Sequence, residues 1–255
     1  MGGCDRRRVD HAFRSPAEQV ETEWVESETQ ELARIHARII PTATVTPPGN
    51  LTPMRALLVR HGVTAETGKV LTGRRPGVPL SDRGKLEVRA VAGRLAEMSV
   101  AAVYSSPIRR CRETARILSE PHELTPLTDR RLVEADYGNW SGRQLKDLGK
   151  LKAWQHLMAA PARFRFPDGE TLTEVQDRAV AALEELADTH GDEQVVLVSH
   201  ADVIRTLLCH YLGTPLDLIH RLHVAPTSLS VIDLSQTGSV QVPVVNRSFD
   251  GIASR

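Results

Sequence analysis

The sequence predicts an α/β fold, a mostly parallel sheet covered by helices on both faces. Three observations carry that expectation. Short unbroken apolar runs at Ala56–Val59, Val100–Tyr104 and Val195–Val198 read as strands buried on both faces. The stretches between them place apolar residues at helical spacing. Each run then stops at polar, reactive residues: Arg60-His61, Ser105-Ser106-Pro107 and Ser199-His200. Polar side chains are costly at the end of a buried strand unless something there satisfies them. Parallel strands bring their carboxyl ends to one edge of the sheet, where ligands of open α/β folds bind.

The elements follow in order. Residues 1–53 form an N-terminal extension with a basic patch, Arg6-Arg7-Arg8, and a Glu-rich segment from Ala17 to Ile40 opened by Ser15-Pro16. Pro41, Pro47, Pro48 and Pro53 turn its end into a linker. A helix packed on the domain, a helix packed on another subunit and a disordered tail all fit this composition, so a homodimer stays open. After the first strand, Ser81 caps a helix to about Met98, with Leu86, Val88, Val91 and Leu95 as its apolar face. Ser106 as N-cap and Pro107 at the first helical position start another, running to about Leu118. Short extended pieces are expected at Leu124–Leu127 and Arg131–Val133, and two helical stretches over Leu145–Ala159. A longer helix from Leu172 to His190 carries Val175, Ala179, Ala182, Leu183 and Leu186 on one side. A helix from Asp202 to Leu212 follows the third buried strand. Ser228–Leu234 and Val240–Val245 close a domain spanning residues 54–245, and 246–255 reads as a polar tail.

Composition narrows the function classes. Lys+Arg and Asp+Glu both total 32, so the formal net charge is zero and no global basic field exists for nucleic acid. An anionic ligand must therefore be drawn by a local cluster. No apolar run approaches the ~20 residues of a membrane span. The charged start of the chain lacks the core of a secretory signal, and Arg6 spoils the N-myristoylation pattern of Met1-Gly2-Gly3-Cys4. The cytoplasm is the expected setting. Cys4, Cys111 and Cys209 lack metal-ligand or disulfide spacing.

Two histidines and an arginine at three strand ends point to a shared anionic ligand. The motifs go further. Arg60-His61-Gly62 with Thr64, then Ser105-Ser106-Pro107-Ile108-Arg109-Arg110 with Glu113-Thr114-Ala115, then Leu132-Val133-Glu134 with Tyr137-Gly138-Asn139-Trp140-Ser141-Gly142, then Val198-Ser199-His200 occur in that order. Gly169-Glu170-Thr171 and Arg178 form a further block. Together they resemble the histidine phosphatase superfamily, over about residues 55–235.

The resemblance implies a phosphoglycerate-mutase-like three-layer sandwich and its site. His61 corresponds to the nucleophile, Arg60 and Arg110 (rather than Arg109) to the phosphate ligands, Glu134 to the proton donor and His200 to the second catalytic histidine, completing the phosphate cradle from the opposite side. Thr67, Gly73 in the Leu71–Arg74 loop, and Ala201 fall among the substrate contacts. Ala201 stands where glycine is usual, and Thr67 where mutase-type members carry asparagine. A neutral imidazole attacks a phosphate dianion without the repulsion an anionic nucleophile meets, and the arginines spread the transition-state charge. Neither a metal nor a cofactor is expected.

The implied activity is hydrolysis of small phosphorylated metabolites through a phosphohistidine. The alternatives are a phosphoglycerate-type mutase and a module that binds a phosphorylated ligand or protein. The short stretch between Arg110 and Glu134, and the Tyr-Gly-Asn-Trp form of the following loop, favour hydrolysis by resemblance. Substrate choice is expected to lie in Arg74–Val78 and Trp154–Asp168. Trp140, Asp202, His210, His220 and His223 are expected to have structural roles.

Overall fold

A computed structural model describes residues 53–235 and 238–249. The expectations for residues 1–52 and for the last residues of the chain lie outside that span. The described strands are β1 (Met54–Arg60), β2 (Ala102–Ser105), β3 (Leu127–Thr128), β4 (Gln194–Ser199), β5 (Leu229–Leu234) and β6 (Val240–Arg247). The helices are α1 (Asp82–Leu95), α2 (Arg109–Ser119), α3 (Leu145–Leu148), α4 (Lys152–Ala159), α5 (Leu172–His190) and α6 (Ala201–Tyr211).

The strands make one sheet in the order β3-β2-β4-β1-β5-β6. β1, β2, β3 and β4 run parallel, whereas β5 pairs antiparallel with both β1 and β6. Period-two alternation divides each central strand between two cores. Ala56 and Leu58 of β1 join Val195 and Leu197 of β4 against α5 and α6. Leu57 and Val59 join Val196 and Val198 against α1 and α2. The expected layers are therefore present, with a mixed rather than uniform strand direction at the β5–β6 edge.

Several local expectations need correction. α1 is capped by Ser81 as foreseen, its side chain accepting from the Gly84 amide, but Leu86 is 65% exposed. Gly84, Val88, Val91, Ala92 and Leu95 make the buried stripe, and Leu86 lies on the other side of that stripe. α2 starts at Arg109, not beside Ser106, and has no side-chain cap. Ser106 Oγ is instead engaged with His200 Nε2 at 2.8 Å. Arg130–Leu132 forms a 3₁₀ turn rather than an extended piece, because the Asp129 side chain accepts from the Arg131 amide. β6 runs on to Arg247, past the expected end of the domain.

Candidate active site

Strand register puts the polar ends together. Arg60 pairs with Ser199, and Ser105 with Val198, so His61, Ser106 and His200 leave the sheet side by side. The His61 amide donates to Ser199 O at 3.0 Å and the Ser106 amide to Val198 O at 3.0 Å, extending the ladder into the site. The imidazoles of His61 and His200 meet edge-on with centroids 5.2 Å apart.

Hydrogen bonds decide the protonation of both rings. His61 Nδ1 lies 2.8 Å from Gly62 O, which can only accept, so Nδ1 carries the proton. The lone pair on Nε2 accepts from Arg110 Nε at 3.1 Å. Arg110 Nη2 donates to Gly73 O at 2.9 Å and approaches His200 Nδ1 at 3.0 Å, which must then accept. His200 Nε2–H accordingly faces Ser106 Oγ. Burial, then Arg110, holds both imidazoles well below their ordinary value, so they are neutral.

Arg110 is 2% exposed, and its Nη1 has no partner among the described residues. Arg60 Nη1 donates to Val224 O at 2.7 Å, while its Nε is likewise buried and unpartnered. Each such donor costs about 1–3 kcal/mol or more if left unsatisfied. Two of them beside a base set up an anion site.

Glu134 is 7% exposed; its carboxylate accepts from the Ala135 amide at 3.0 Å and lies 3.8 Å from His200 Nδ1. Burial, followed by the Asp202 carboxylate, pushes the Glu134 carboxyl up to about 7. Its loop is held from behind. Arg74 Nε donates to Glu134 O at 2.8 Å, and Arg178 Nη2 does so at 3.2 Å. Glu170 pairs with both arginines, which explains the Gly169-Glu170-Thr171 and Arg178 block. A side chain at Gly138 or Gly169 would drive into the Pro167 or Asp136 carbonyl, so glycine permits the loop to dock.

His61, Arg60, Arg110, Glu134, Thr67, Gly73 and Ala201 all line one cavity of about 390 Å³. Thr67 Oγ1 accepts from the Thr64 amide at 2.9 Å, which folds the loop against the site. His200 is fully buried beside Arg110 rather than in the cavity wall. Arg74 does not reach the cavity, and Arg75–Val78 line a separate depression, so that half of the expected selectivity region is withdrawn. From the other half, Trp154, Leu157, Met158 and Phe166 line the cavity as an apolar wall. Trp140 is 3% exposed and packs on Trp154, Phe164 and Phe166, as a packing residue. Arg109 pairs with Glu113 at 2.7 Å on the surface.

Asp202 lies in the first turn of α6 and His220 on the surface, as expected, but both, with Arg205 and Tyr137, also line the cavity, which was not foreseen. The signal available was spacing: Asp202 and Arg205 sit one helical turn apart at the start of α6, directly after His200. Nothing local marked His220.

A family model described as histidine phosphatase superfamily (branch 1) matches residues 56–247. The chain belongs to that superfamily. It is 30% identical over 192 residues to phosphoserine phosphatase 1 of Hydrogenobacter thermophilus, covering 73% of this chain and 90% of that protein. It is 30% identical over 186 residues to a probable phosphoglycerate mutase GpmB of Yersinia pestis, covering 72% and 86%. It spans 60% of the length of a bifunctional protein of Mycobacterium tuberculosis that it matches at 30% identity over 218 residues and 83% of this chain. Among solved structures, mycobacterial glucosyl-3-phosphoglycerate phosphatase in complex with VO3 superposes with a TM-score of 0.69 at 25% identity, covering 76% of this chain and all of the other. Among the described residues no helix is long and apolar enough to cross a membrane, and no group of three or more His, Cys, Asp or Glu is arranged to hold a metal ion.

Proposed function

We propose that this histidine phosphatase hydrolyses small phosphomonoesters through a phosphohistidine on His61. The observation that carries the reading is the pair of buried, unpartnered guanidinium N–H groups on Arg60 and Arg110 beside an imidazole whose Nδ1–H is tied to Gly62 O. That tie leaves the Nε2 lone pair as the reacting atom.

The phosphoryl oxygens take the donors of Arg60 and Arg110, charge-assisted bonds that strengthen as charge builds in the transition state. His61 Nε2 bonds to phosphorus, the bond from phosphorus to the ester oxygen breaks, and Glu134 gives that oxygen its proton. Water then attacks the phosphohistidine, the Glu134 carboxylate takes the water's proton, and the P–N bond returns its electrons to Nε2. His200 is a positioning residue that holds Arg110 through Nη2. The products are an alcohol and inorganic phosphate.

The catalytic unit in this reading is the domain at residues 54–247, with 1–53 as an extension outside the chemistry. A cytoplasmic setting is supported by Cys111 and Cys209, both buried free thiols. The likeness to a probable phosphoglycerate mutase keeps one rival reading, transfer of the phosphoryl group back to a substrate. The test is phosphate release from phenyl phosphate and from alkyl phosphates. Wild type should release phosphate stoichiometrically with alcohol, and His61→Ala should release none above background. Residual turnover in His61→Ala would overturn the nucleophile, and isomerised ester without free phosphate would favour the mutase reading.

A further inference from the structure

Beyond the phosphate end, the cavity carries a second polar feature. Arg205 Nη1 pairs with Asp202 Oδ1 at 2.9 Å, and Asp202 Oδ2 accepts from the Tyr137 hydroxyl at 2.7 Å. Both carboxylate oxygens of Asp202 are therefore engaged. Arg205 Nε is buried with no partner among the described residues, one N–H to spare. The surrounding wall is apolar, formed by Val70, Leu145, Trp154, Leu157, Met158 and Phe166.

The cavity's charge can be counted. Among the described residues its lining holds three guanidiniums, on Arg60, Arg110 and Arg205, and two carboxyls, on Glu134 and Asp202. Burial keeps the imidazoles of His61 and His220 toward the neutral form and the Tyr137 phenol protonated. With Glu134 protonated for its task, the lining carries an excess of two positive charges. One phosphomonoester dianion matches that excess completely. A carboxylate elsewhere on the substrate would meet only an Arg205 charge already offset by Asp202, in a pocket otherwise apolar and close to the Asp202 carboxylate, and a charge so poorly offset there is costly.

Resting on the phosphatase reading, we propose that the substrate is the phosphomonoester of an uncharged, partly apolar alcohol bearing one hydrogen-bond acceptor for Arg205 Nε, and that the Asp202–Arg205 pair rejects esters that also carry a carboxylate. The volume of about 390 Å³ leaves room for such an organic group beyond the phosphoryl. This separates the chain from relatives named as a phosphoserine phosphatase and a probable phosphoglycerate mutase.

The test compares kcat/KM for glycerol phosphate and phosphoglycerate, which share a carbon skeleton and differ in a terminal hydroxymethyl or carboxylate. Phenyl phosphate serves as the independent assay. Phenyl phosphate turnover that His61→Ala abolishes establishes the phosphatase reading on its own, and its absence would sink that reading rather than the selectivity. Given that turnover, wild type should favour glycerol phosphate by at least about tenfold. Asp202→Asn frees the Arg205 charge and should shrink that preference at least about threefold. Arg205→Met removes the cation and the spare donor, and should widen the preference while raising KM for glycerol phosphate. Equal or better use of phosphoglycerate by wild type overturns the proposal. So does a preference that neither variant moves; if Asp202→Asn does not fold, Arg205→Met decides alone.

Discussion

At the scale of residues, one physical cause sets the two chemical partners. Burial disfavours charge, so it lowers His61 and raises Glu134, and both are neutral where the reaction needs them. The pH profile follows. With alkyl phosphates, kcat/KM should fall as pH rises through about 7, where Glu134 loses its proton, and His61 should impose no acid limb near its ordinary value. A rate profile with the substrate's own ionisation divided out checks this. Glu134→Gln should cost alkyl phosphates roughly 10²–10⁴-fold in kcat/KM, which reports transfer to His61 and not the shared hydrolysis of the phosphohistidine. Aryl phosphates, whose leaving groups hardly need a proton, should lose far less; equal losses would assign the acid elsewhere. Stability should respond too. In the folded state His61 and His200 resist protonation, so acidification below about 6.5 favours the unfolded chain, whose imidazoles bind protons freely. Glu134 has the opposite sign, because its raised folded value stabilises the protein below the ordinary carboxyl range and that contribution is lost as pH rises through about 7. Urea melts at neutral and mildly acidic pH should therefore show Glu134→Gln losing stability more steeply on acidification than wild type.

At the scale of elements, the site depends on loops that are braced rather than merely placed. Arg178 on α5 donates to the Arg131 and Glu134 carbonyls and pairs with Glu170. It does not itself line the cavity, so it is a positioning residue. Arg178→Met should lower kcat/KM for alkyl phosphates at least about tenfold and for aryl phosphates less, the same leaving-group split expected of Glu134 itself. A uniform loss would mean a general folding defect. α5 owes its start to a full capping box, in which the Thr171 side chain accepts from the Glu174 amide and Glu174 reaches back. Thr171→Ala should cost about 1 kcal/mol in urea unfolding. The failed expectations are informative at this scale. Ser106-Pro107 has the form of a helix start, yet the serine hydroxyl is held by a histidine far away in sequence, and α2 begins three residues later. Arg131–Val133 has strand-like composition, but a short-range Asp129 cap makes it a turn.

At the scale of the whole molecule, the sheet is a device for bringing distant segments to one edge. The cavity is lined by residues between Arg60 and His220, and both cores are built within the described domain. Removing residues 1–52 should therefore leave kcat/KM on phenyl phosphate within about twofold of the full chain, since every residue with a part in the proposed chemistry lies C-terminal to them. A larger loss would give the extension a part in the reaction.

What the sequence determined by itself was the α/β order, the positions of the buried strands, and the reactive groups at their ends. These are local matters of apolar run length, helical spacing and abrupt polarity, written contiguously in the chain. It also carried the family motifs, and with them His61, Arg60, Arg110 and Glu134. Only the tertiary structure decided which nitrogen of His61 bears the proton, that His200 stands beside Arg110 rather than in the cavity wall, and that Asp202, Arg205 and His220 share the substrate's space. Those facts depend on hydrogen-bond partners and burial supplied by residues remote in sequence, and no local pattern encodes the geometry of a contact made across the sheet.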